Sequence, residues 1–136
     1  MHFEEIVKNL PALFSALLVA ILFIQSGLDK VLDWKGNLEW LTGHFSKTFL
    51  NRFVWLMLLK ITAAEIITGF LAAVGIVYFF ATGSMLVIFW ASVLGSASIT
   101  ALFFGQRVAK DYAGAAILVP YFILIALMMF LTNPYR

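Results

Sequence analysis

Lys60-Ile61-Thr62-Ala63-Ala64-Glu65-Ile66-Ile67-Thr68-Gly69 is the stretch that decides the fold. It carries an acid at the edge of a long apolar run: from Ile66 to Gln106 there is no charged residue. Such a run is long enough to cross a membrane twice, so Glu65 is expected inside the bilayer or close to it. An ionisable side chain at that depth is costly unless it is paired or protonated. By default it marks a functional site or an internal ion pair.

Two more charge-free stretches lie outward from this segment, residues 9–28 and 112–135. Each is long enough for one span. The chain has 136 residues, 63% of them hydrophobic and 12% charged, too apolar for a soluble domain of this length. The expectation is an all-α integral membrane four-helix bundle forming a single domain, with spans near 10–30, 56–80, 84–105 and 112–132. The opening residues carry Glu4 and Glu5 where a signal peptide has a basic cluster, so no cleaved leader is expected. A net charge of +2 does not point to nucleic acid, and the absence of cysteine excludes disulfides and thiol chemistry by this chain.

The one long connection, residues 31–53, lies between the first two spans and mixes charges with Trp34, Trp40, Phe45 and Phe49. That composition fits a segment at the headgroup level, with a short helix over 37–44 capping one end of the bundle. The second span could begin as early as Asn51, but that gives almost 30 residues; residues 50–59 are read as interfacial or tilted. The loops after the first and third spans carry Lys30, Lys35, Lys47, Arg52, Arg107 and Lys110, whereas the opposite side carries Lys8 and Arg136. The positive-inside rule puts the basic loops in the cytoplasm and both termini outside.

At helical spacing Glu65 shares a stripe with Thr62, Thr68, Gly69 and Ala72, while Ile66, Phe70, Val74 and Val77 lie opposite. Small and hydroxyl-bearing residues let helices approach closely, so Glu65 is expected to face the bundle interior. Lys30 and Lys60 mark the same membrane boundary on antiparallel helices. Gln25 and Glu65 then each lie five residues inward, about 7 Å deep at the helical rise. Gln25, Ser26, Lys30, Gln106 and Arg107 are the candidate partners of Glu65, with Lys30 as counter-ion. Two readings stay open. One is a polar pocket that holds the head of an amphipathic ligand such as a quinone or lipid. The other is a structural ion pair that locks two helices. His2 and His44 fall on opposite membrane faces, and neither has a metal-ligand spacing, so no metal site is expected. Tyr112 and Tyr121 could touch a ligand ring, though interface anchoring suits Tyr112 better.

The order of these features resembles the DoxX family of small bacterial membrane proteins. The resemblance rests on Ser26-Gly27-x-x-Lys30 closing the first span, Glu65 followed by Gly69 in the second, Gly75 beyond it, and four spans in one short chain. It implies a four-helix membrane bundle in the bacterial inner membrane, with Gly27 and Gly69 as close-packing positions and Lys30 and Glu65 as site residues. It also implies a redox-linked role beside a quinone, as in a thiosulfate:quinone oxidoreductase, with no covalently bound cofactor. The expected partners are membrane lipid and a protein partner or further copies of the chain. A structural or assembly subunit without catalysis is the alternative, and a small proton-coupled transporter a third.

Overall fold

The computed structural model describes residues 2–136. Its elements run α1 (Phe3–Lys8), α2 (Leu10–Leu32), α3 (Trp34–His44), a 3-10 turn (Phe49–Phe53), α4 (Val54–Thr82), α5 (Leu86–Val108) and α6 (Tyr112–Thr132). Helices α2, α4, α5 and α6 are each long and apolar enough to cross a membrane. The chain is therefore an all-α integral membrane bundle of four helices. They form a ring in chain order, α2 on α4, α4 on α5 and α5 on α6, closed by a thinner contact of α2 with α6.

Helix α2 shows how sequence sets this arrangement. Pro11 occupies its first turn, where a missing N–H costs nothing. Ala12, Ala16, Val19, Ala20, Phe23 and Gly27 recur at three- and four-residue steps and are buried. Phe14, Leu17, Leu18 and Ile21 lie on the outer face and are exposed, which in a membrane means facing lipid. Lipid is as apolar as these side chains, so burial alone does not hold the helices together. Close packing at small residues must do so. A Cβ on Gly27 would stand 2.5 Å from Ile66 Cγ1, and one on Gly69 would stand 2.5 Å from Ile24 Cγ1 and 2.8 Å from the Ile24 amide nitrogen. These two contacts also fix the antiparallel register of α2 and α4.

The connections are punctuated by local chemistry. Helix α4 ends at Gly83, whose φ of 78° is left-handed and whose N–H donates to the Phe79 carbonyl. Helix α5 ends the same way without a glycine: Lys110 has φ 60°. Its N–H donates to the Arg107 carbonyl over 3.1 Å, and the Asp111 N–H donates to the Gln106 carbonyl over 2.9 Å. Those two bonds make a Schellman turn. Asp111 then caps α6 by accepting from the Gly114 N–H at 2.9 Å.

Three boundaries differ from the sequence reading. The long connection is mostly helical: α3 begins at Trp34, where the Asp33 carboxylate accepts from the Gly36 N–H. The second spanning helix is continuous from Val54, so residues 54–59 are its first turns and not a separate segment. Nothing in 54–59 is charged, and Val54 and Leu58 are buried, so no local signal stops the helix there. Helix α5 runs three residues past the expected end at 105, to Val108.

Candidate functional site

Glu65 lies on the interior face of α4 and is 1% exposed. Its stripe is buried throughout: Thr62, Thr68, Gly69 and Ala72 all turn inward, while Phe70, Val74 and Val77 are exposed on the other side. Polarity and side-chain size thus orient the helix about its own axis.

Lys30 meets Glu65 from α2. Its Nζ donates to Glu65 Oε2 at 3.1 Å, to Ser26 Oγ at 2.9 Å and to the Ser26 carbonyl at 3.4 Å. Three acceptors therefore surround the ammonium, which has three protons to give. Helical side chains lean toward the N-terminus, and Lys30 follows that lean back along α2 and into the bundle. It does not snorkel outward to the headgroups, as a lysine near a helix end commonly does. Gly27, one residue from Ser26, supplies the close approach of α2 to α4 that brings the ammonium within reach. Glu65 Oε1, by contrast, accepts no hydrogen bond among the described residues.

The structure brings Ser26, Lys30 and Glu65 together and separates them from the other three candidates. Gln25 is exposed and lies with Ile21, Leu28, Asp29 and Leu32 along an outer groove of α2. Gly27 against Ile66 and Gly69 against Ile24 set it level with Thr68, three residues from Glu65 along α4, and its azimuth turns it outward: it lies two residues from both Phe23 and Gly27 on the buried stripe. Gln106 and Arg107 are displaced along the axis. Gly75 lies against Ile88, and Gly95 against Thr68, so Glu65 stands level with Ser98 on α5. Gln106 is eight residues further along, about 12 Å at the helical rise. Its Oε1 lies 2.9 Å from His44 Nε2, and the Arg107 guanidinium lies 4.4 Å above the Tyr112 ring.

These last contacts form a second polar cluster that sequence reasoning missed. His44 closes α3, stacks on Trp40 with ring centroids 4.5 Å apart, and has Asp111 Oδ2 3.8 Å from its Nε2. Phe45 beside it is buried and packs toward Gly105. The cluster pins the C-terminal end of α3 to the α5–α6 connection. Residues 44 and 106 are 62 positions apart, and nothing local in the sequence pairs them. The stack of His44 on Trp40 at spacing four was the one available sign. Tyr121 is exposed on α6, away from these clusters' contacts. Among the described residues, no three His, Asp or Glu side chains gather in a way that could hold a metal ion.

Comparison with known proteins adds no identity: no family model, curated protein or solved structure matches the chain.

Proposed function

We propose that the chain is a DoxX-like protein of the bacterial inner membrane that receives the polar head of a quinone or lipid at the Lys30–Glu65 pair, as a subunit of a redox assembly. The observation that carries this reading is the asymmetry of the pair. Lys30 is fully engaged, whereas Glu65 keeps one carboxylate oxygen free of protein donors. A carboxylate buried only to lock two helices is better served when both oxygens are satisfied. The free Oε1 can accept a hydrogen bond from a ligand hydroxyl, or take up its proton, while Lys30 balances the negative charge. The basic loops point to a cytoplasmic placement of this end, with both termini in the periplasm.

Mass spectrometry of the protein extracted in mild detergent tests this. A quinone or phospholipid should copurify in near-stoichiometric amount with the natural sequence and be depleted from Glu65→Gln. Equal retention by the two proteins, or no bound molecule in either, overturns the proposal.

A second reading, a non-catalytic assembly subunit, draws on α6. Only Ala115, Ile125, Met128 and Thr132 of that helix are buried, which leaves most of its apolar surface without a protein neighbour. Gentle solubilisation followed by sizing would support it if a different protein comigrates in fixed ratio, and would remove it if the chain runs alone.

A further inference from the structure

Hydroxyls within helices commonly bond the carbonyl four residues back. Ser15, Thr42, Thr82, Ser98, Thr100 and Thr132 all do so, at 2.7 to 2.9 Å. Ser92 bonds the carbonyl three residues back, and Ser26 accepts from Lys30. Three more hydroxyls have no bond at all. Thr62 Oγ1, Thr68 Oγ1 and Ser96 Oγ are buried and lack a partner among the described residues. Their residues are 4%, 0% and 9% exposed.

All three lie within a helical turn of the level of Glu65 on α4. Thr62 and Thr68 lie three residues to either side of it on the same face of α4. Ser96 sits across the α4–α5 seam, since its neighbour Gly95 is the residue that meets the Thr68 methyl. An unsatisfied buried hydroxyl costs on the order of 1–3 kcal/mol, and lipid offers no donor or acceptor to relieve it. Three of them within a turn of a carboxylate that has one open oxygen indicate a polar occupant.

We propose that Thr62, Thr68, Ser96 and Glu65 Oε1 line an internal hydration site in the α4–α5 seam. A buried water needs two to four polar partners. Each hydroxyl here both donates and accepts, and successive hydroxyls on α4 are about a helical turn or two apart. That spacing suits small molecules that bond in any direction. The site is blind at its inner end. Beyond Thr68 the interior face of α4 is Ala72, Gly75 and Phe79, all buried. A Cβ on Gly75 would stand 2.9 Å from the Ile88 amide nitrogen, so α4 and α5 close tightly there. Water enters from the Lys30 end alone. This deepens the reading of Glu65 as a working site, yet it concerns the ligand-free protein.

Water-edited solid-state NMR on the full chain in phosphatidylcholine bilayers tests it, by following magnetisation passed from water protons to side-chain carbons. The Cβ signals of Thr62, Thr68 and Ser96 should build up several-fold faster than that of Ser92, which is as deeply buried as Thr68 but bonded to the Phe89 carbonyl. Thr68→Val should slow the build-up at Ser96 while leaving the helical chemical shifts in place. Build-up no faster than at Ser92, or a Ser96 signal indifferent to Thr68→Val, overturns the proposal. Failure of a quinone or lipid to copurify would remove the proposed function and leave this result untouched.

Discussion

Gly69 of α4 presses on the backbone of Ile24 in α2: a Cβ there would lie 2.8 Å from the Ile24 amide nitrogen and 3.3 Å from the Ala20 carbonyl oxygen. Backbone cannot rotate away as a side chain can. Gly69→Ala must push the two helices apart and should destabilise the protein by about 1–3 kcal/mol. Gly27→Ala meets chiefly the Ile66 side chain, which can move, and alanine's better helix propensity of about 1 kcal/mol offsets part of the clash. Thermal unfolding in detergent should therefore rank Gly69→Ala well below Gly27→Ala. The reverse order would contradict the register described here.

Removing Lys30 leaves a carboxylate buried without its counter-charge. Lys30→Met should cost about 3 kcal/mol, the scale found when one partner of a buried pair is deleted. Adding Glu65→Leu to that variant removes the orphaned charge and should restore most of the loss. Denaturant titration of the two single variants and the double variant measures the coupling, and additive losses would show that the pair contributes nothing as a pair.

His44 and Gln106 join α3 to α5 through one hydrogen bond between a ring nitrogen and an amide oxygen. A neutral bond of this kind contributes about 0.5–1.5 kcal/mol. A double-mutant cycle of His44→Ala and Gln106→Ala should return a coupling of that size. Hydrogen exchange should rise in α3 in both single variants while the amides of α4 around Glu65 stay protected. Unchanged exchange in α3 would show that other contacts pin it.

Lys110 occupies the left-handed position of a Schellman turn, where glycine avoids a steric cost of roughly 1–2 kcal/mol. Lys110 is exposed, so its side chain is not needed for packing. Lys110→Gly should raise stability by about 1 kcal/mol, less what the more flexible unfolded chain takes back. A lowered melting temperature would refute the assignment of strain to this residue.

Much of the architecture was legible in the sequence because it follows from periodicity and from where charges are missing. The inward face of α4 could be read from Thr62, Glu65, Thr68 and Ala72 alone, since size and polarity agree on that stripe. Lys30 was legible as the counter-ion because Ser26 and Lys30 share a helical face that turns toward α4. Gln25 falls outside the site on both counts: the register sets it three residues off the level of Glu65, and its azimuth faces outward. The buried stripe through Phe23 and Gly27 already excludes it from the interior. Gln106 and Arg107 could not be placed, because their positions depend on how far α5 continues and on a histidine delivered by a distant helix. The charge-free start of α4 was equally silent: neither residue type nor spacing distinguishes a membrane-spanning turn from an interfacial one at 54–59.

The ring of helices is closed by its first and last members, α2 and α6, through its thinnest seam. During synthesis the N-terminal helices are available first. Both partners of the Lys30–Glu65 pair lie on α2 and α4, and α5 packs on α4. A ribosome-bound chain truncated before α6 thus already contains both members of its buried charge pair. The last helix closes a structure whose most costly contact has been settled, and it leaves a lateral edge facing the bilayer for as long as α6 is delayed.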